Sequence, residues 1–181
     1  MSIRFDEEFI AGATAAGGEV MKFANLESAF AFALDFLKQQ NIKAVVIAPD
    51  VPLPSARMEA WPLLRPRRRE DYLAAGAGLV RADYGVSSTG TLVHLDRSAA
   101  EKIVWTMPPV CLCLLDKSCI VQDLDGISAA LSRHLSEPAF EQPQVSLVTG
   151  PSRTTDIECR LTLGVHGPSR LIILLHDGEG S

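Results

Sequence analysis

Cysteine is scarce in this chain, and its spacing does not suit a metal. The four cysteines are Cys111, Cys113, Cys119 and Cys159. No two form a C-x-x-C pair, and no histidine stands at a metal-ligand spacing from them. A zinc or iron–sulfur site bound by this chain alone is therefore not expected, and neither is a cofactor of its own. Cys111 and Cys113 fall two apart in an apolar run, so on a strand they would share one face as buried thiols. Long apolar runs are also missing, since none approaches the roughly 20 residues that cross a bilayer. There is no basic excess: 17 Lys and Arg against 22 Asp and Glu leave a formal charge of −5. Bulk electrostatics then give no pull toward nucleic acid or an anionic membrane. Residues 1–9 carry acids and lack the basic-then-apolar order of a signal peptide, so a cytoplasmic location is expected. No Ser-His-Asp order, Walker-type loop, G-x-G-x-x-G fingerprint, internal repeat or low-complexity tract is visible.

What is present reads as one α/β domain. The chain has 181 residues, 47% hydrophobic and 22% charged, enough for one proper core. Residues 1–18 hold two Gly–Ala clusters and little periodicity, and are expected to form a poorly ordered leader before a single domain at 19–181. Residues 19–24 suit a short strand. Asn25 is a plausible N-cap for a helix to about Gln40, with Leu26, Ala29, Phe30, Ala33, Leu34 and Leu37 at the spacing of a core-facing stripe. Residues 43–48 form a β-branched run suited to a strand covered on both faces. Five prolines between Pro49 and Pro66 point to an irregular surface segment. Arg65, Arg67, Arg68 and Arg69 then crowd together, either as a solvated loop or as a dock for an acidic partner or phosphorylated ligand. Further strands are expected at 90–95, 110–115, 145–149 and 171–175. Asp123 or Asp125 is placed to cap a helix carrying Leu124, Ile127, Ala130, Leu131 and Leu135. Buried strands alternating with amphipathic helices predict a mainly parallel open sheet with helices on both faces.

In such a sheet, ligands gather beyond the carboxyl ends of the strands. Two loops have the composition for a site. Residues 84–91 (YGVSSTGT) offer glycines for close approach and the hydroxyls of Ser88, Thr89 and Thr91 around Gly90; a ligand-free turn fits as well. Residues 150–158 (GPSRTTDIE) follow a strand with a Gly-Pro turn. Gly150, Ser152, Arg153, Thr154 and Asp156 there read as a helix start that aims N–H groups at an anion, with Arg153 as a planar cation for carboxylate or phosphate. The competing reading has Ser152 or Thr154 merely capping that helix and Arg153 paired with Asp156 or Glu158. Gly164 and Gly167 bracket His166, which suits an acid/base or ligand contact as well as a structural hydrogen bond.

Three blocks, 85–95 (GVSSTGTLVHL), 107–110 (MPPV) and 150–168 (GPSRTTDIECRLTLGVHGP), resemble the LUD-domain family of lactate-utilisation proteins. The resemblance runs from about residue 17 to 176 and is loose before residue 80. It implies a fold related to the sugar-phosphate isomerase, glucosamine-phosphate deaminase and CoA-transferase group. It also implies a role in oxidising L-lactate to pyruvate beside partner proteins that carry iron–sulfur clusters. The family usually reads Ala-Glu-Thr-Gly-Thr where this chain has residues 87–91 (SSTGT), so Ser88 replaces an acid and cannot act as a base unaided. The leading expectation is an accessory or ligand-binding subunit of a lactate-oxidising system, not catalytic alone, with Arg153 gripping a small carboxylate. The alternatives are a stand-alone enzyme on a phosphorylated or acyl-CoA substrate, with His166 as acid/base, and a sensor of a small carboxylate.

Overall fold

The computed structural model describes residues 5–53, 59–66, 69–137, 144–155, 161–163 and 167–178. In chain order the elements are α1 (Phe5–Ala15), β1 (Glu19–Phe23), α2 (Leu26–Gln39), β2 (Val45–Ile47), α3 (Arg69–Leu73), β3 (Ala77–Arg81), β4 (Tyr84–Val86), β5 (Thr91–Asp96) and α4 (Ala99–Thr106). They continue with β6 (Val110–Asp116), β7 (Ile120–Val121), α5 (Ser128–Leu135), β8 (Gln144–Val148), β9 (Arg153–Thr155), β10 (Leu161–Leu163) and β11 (Arg170–His176).

Five strands form a wholly parallel sheet in the order β1-β11-β6-β3-β2. The α/β class and mainly parallel sheet are as expected. Strands β6 and β11 are near-continuous apolar runs because both of their faces are covered. The faces can be told apart by register. Arg170 lies over the Phe36 ring at 5.3 Å, so α2 covers that side. Gly78, in register with Cys111 and Leu171, belongs to the other side. A Cβ on Gly78 would come within 2.5 Å of the Val104 carbonyl, so α4 packs there. Helices thus flank both faces.

Helix α2 forms as its sequence dictates. The Asn25 side chain accepts the Ser28 N–H at 2.8 Å, and Ala29, Phe30, Ala33 and Leu37 are buried.

Four expectations need correction. The loose leader does not hold for residues 5–18, because α1 buries Phe9 and Ala13 completely in the core. The 145–149 strand, β8, pairs antiparallel with β5 in a second, four-stranded sheet of order β7-β4-β5-β8. The 124–135 segment buries Ile127 and packs Leu131 beside it as expected, but turns Leu124 and Leu135 outward and buries His134. The proline-rich segment is irregular but not purely superficial, since it inserts Val51 and Trp61 into the core, Trp61 meeting Phe30 edge-on. Of the arginine cluster, Arg67 and Arg68 lie outside the described residues.

Candidate functional site

The two loops singled out from the sequence converge on the last turns of α1. Gly90 and Gly150 both adopt left-handed backbone, with φ of +65° and +78°. A Cβ on Gly90 would overlap the backbone of Gly12 and Ala13, and one on Gly150 would overlap the Ala16 carbonyl. Both turns are therefore pressed onto a helix surface made of the smallest residues. Gly17, just past α1, lies directly against the Arg153 guanidinium. The Ser152 N–H donates to the Pro168 carbonyl at 2.9 Å, which ties this turn to the chain entering β11.

A line of hydroxyls joins the loops. Thr89 Oγ1 and Thr91 Oγ1 are 2.7 Å apart, and Thr91 Oγ1 is 2.7 Å from Thr149 Oγ1. These threonines and Ser88 line a cavity of about 450 Å³, with Asp123 and Asp125 on its rim and Leu124 and Leu147 on its walls. Each hydroxyl can donate or accept, so the cavity suits a small polar ligand bearing both kinds of group. Asp123 is engaged locally, accepting the Gly126 N–H at 3.2 Å. Beside the cavity the buried Ser87 hydroxyl donates to Glu8 of α1 at 2.8 Å. The acid at this turn is thus supplied from α1, while position 88 carries a hydroxyl.

Of the expected site residues, Ser88, Thr89 and Thr91 line the cavity, and Gly90 and Gly150 set its backbone. Ser152 and Arg153 lie at the end of α1, at the amino ends of β1 and β11 rather than beyond the carboxyl ends of the sheet. The expected helix start at Ser152 is corrected: Arg153–Thr155 is a strand, β9, paired antiparallel with β10. Consecutive β-branched threonines favour extended chain, so no helix dipole is available there. Thr154 falls on β9; Asp156, Gly164 and the proposed acid/base His166 lie outside the described residues.

A second polar cluster went unread in the sequence. His94, fully buried on β5, has Nδ1 at 3.3 Å from Asp83 and Nε2 at 3.3 Å from Glu101 and 3.6 Å from Asp96. Burial opposes charge on Asp83, but the His94 ring, the Arg97 guanidinium at 2.8 Å and the Leu95 N–H bring its pKa down to about 2. Burial likewise opposes charge on His94, yet Asp83 first, then Asp50 and Asp96, raise its pKa above the ordinary value. Burial raises the pKa of Asp50, with Glu101 and Asp83 adding to it against His94. Two signals pointed here: His94 and Asp96 alternate on one strand face, and Ser98-x-x-Glu101 is a capping-box spacing.

The cysteines of β6 behave as buried strand thiols. Burial pushes Cys111 up to about 12 and Cys113 well above its usual range, which disfavours the thiolate a metal needs. Among the described residues no group of three or more His, Cys, Asp or Glu is arranged to hold a metal ion.

The sequence matches the LUD domain family over residues 7–176. The chain belongs to that family. This LUD domain is 30% identical over 105 residues to lactate utilization protein C of Bacillus pumilus, covering 58% of this chain and 44% of that one. With lactate utilization protein C of an Exiguobacterium species it shares 28% over 129 residues, covering 70% of this chain and 56% of that one. The chain thus spans about half the length of the relatives it matches. Its fold resembles the crystal structure of a DUF162 family protein from Deinococcus radiodurans, with a TM-score of 0.71 and 19% identity over 95% of this chain and 96% of that one. No described helix is long and apolar enough to cross a membrane.

Proposed function

We propose that this LUD domain is a cytoplasmic, ligand-binding subunit of a lactate-utilisation system. It works beside iron–sulfur partner proteins that carry the electrons of L-lactate oxidation. One observation carries the reading. The two loops that bear the family resemblance meet on α1, and the hydroxyls of Thr89, Thr91 and Thr149 beside those turns line one cavity. The names of the relatives, lactate utilization protein C, support lactate as the ligand class. L-Lactate bears a hydroxyl that donates and a carboxylate that accepts, which matches the dual capacity of threonine hydroxyls. Arg153, exposed at the end of α1 outside the cavity's lining, is the cation proposed to meet the carboxylate. Oxidation to pyruvate releases two electrons and two protons, and the electrons pass to the partners' clusters.

The test is L-lactate-dependent reduction of an artificial electron acceptor, by this chain alone and then with added iron–sulfur proteins of the same organism's lactate-utilisation system. The expected result is no turnover alone, and turnover with partners that disappears when this chain is omitted. Turnover by the chain alone, or partner activity indifferent to it, would overturn the proposal.

A further inference from the structure

The second polar cluster lies between the two sheets, beneath α4. Acids reach the buried His94 ring from four segments: Asp83 on the β3–β4 link, Asp96 on β5 itself, Glu101 on α4 and Asp50 after β2. Among the described residues the other cation in the group is Arg97, whose guanidinium is held by Asp83 at 2.8 Å. The Trp105 ring of α4 lies against the imidazole with centroids 5.4 Å apart. Neither ring nitrogen of His94 makes a well-formed hydrogen bond, and neither does Asp96 Oδ1 or Asp50 Oδ1. Buried polar atoms are ordinarily hydrogen-bonded, so charge holds this group together. A neutral imidazole would turn a lone pair toward a carboxylate on one side. An imidazolium presents an N–H to the acids on both sides.

We propose that His94 is a proton-operated latch: as an imidazolium it pins α4 to β5 and the β3–β4 link, and loss of its proton releases α4. The helix is the element that responds. Asp96 is anchored on β5 and Asp83 on the short link between β3 and β4, whereas α4 has eight residues, packs on β3 through Val104 and is tied to β8 by an exposed bond from Lys102 to Gln144. Without the imidazolium, Glu101 keeps the Arg97 backbone N–H and Asp96 the Ser146 hydroxyl, but no cation stands between the two buried carboxylates, and the Arg97 guanidinium remains committed to Asp83. Moving α4 outward relieves that repulsion. It also widens the cavity of about 460 Å³ lined by Asp96, Lys102, Thr106 and Gln144. Protons would thereby control access to a second polar cavity, distinct from the threonine-lined one.

The experiment is hydrogen exchange of the α4 backbone amides from pH 6 to 10, corrected for intrinsic chemistry, with an NMR titration of the His94 ring. Protection of α4 should fall in step with the ring. The fall should be about tenfold for each pKa unit by which the native imidazole exceeds its free value of about 6.5, with β6 unchanged. His94→Gln should abolish the step. Should that variant fail to fold, Glu101→Gln, which keeps the imidazole and removes one repelling charge, must shrink it. A ring titrating at or below its free value would overturn the latch, as would α4 protection independent of pH or lost together with β6.

Discussion

Gly90 and Gly150 do at the scale of single residues what no other residue could do there. Each combines left-handed backbone with a helix lying where a Cβ would project. Gly90→Ala should cost about 2–4 kcal/mol, the sum of backbone strain and forced separation from α1. Urea denaturation checks this, and a midpoint unchanged from the parent would contradict the close approach. Arg153 differs in kind. It is exposed and lies over Gly17, so Arg153→Ala should change stability by less than about 0.5 kcal/mol while abolishing carboxylate binding. Calorimetric binding measured beside thermal unfolding separates the two effects. Asp83 makes a prediction in pH. Its pKa in the folded protein is held down to about 2, against an ordinary 3.8. The stability it contributes is present above that ordinary value and is lost as pH falls toward 2. Asp83→Asn should therefore lower stability at neutral pH and flatten the acid limb of a stability–pH profile; an unchanged acid limb would refute the assignment.

At the scale of elements, the sequence was legible where one element signals itself and opaque where a neighbour decides. Helix α2 shows its cap and its stripe, and β6 and β11 show continuous apolar runs. Helix α1 shows little, because Gly12, Ala13 and Ala16 look like a loose tract. Their smallness is what lets the Gly90 and Gly150 turns settle on the helix, and that reason lies some 75 to 140 residues away in the chain. Strand β8 carried a readable hint: Val145, Ser146, Leu147 and Val148 mix polar and apolar positions, unlike the doubly covered β6. At β9 the hydroxyl of Thr154 suits a helix cap by composition, whereas the β-branching of Thr154 and Thr155 favours the strand that forms. Of the site, the hydroxyl turn was legible from composition. The Glu8–Ser87 contact was not, and the His94 cluster only in its 94–101 part, because Glu8, Asp50 and Asp83 are brought to their partners only by folding. If α1 is integral to the core, Phe9→Ala should cost about 3–5 kcal/mol by guanidinium denaturation. A loss under about 1 kcal/mol would return α1 to the status of a leader.

At the scale of the whole molecule, the five-stranded and four-stranded sheets share one body. The parallel sheet supplies the main core, and the four-stranded sheet presents the threonine-lined cavity on its flank. Helix α1 joins them, packing on β1, β5 and β7. The family relation and the names of the relatives support the proposed role in lactate utilisation, and the threonine-lined cavity is the proposed seat of the ligand. The most direct test is a thermal-shift screen of the purified chain and its Thr91→Val variant against L-lactate, pyruvate, sugar phosphates, nucleotides and CoA. A ligand at a hundred times its dissociation constant adds about 2.7 kcal/mol to the native state, enough to read clearly. L-Lactate or pyruvate is expected to raise the midpoint of the parent and leave Thr91→Val unmoved. A shift produced only by a phosphorylated compound or CoA, or an equal lactate shift in both proteins, would contradict it.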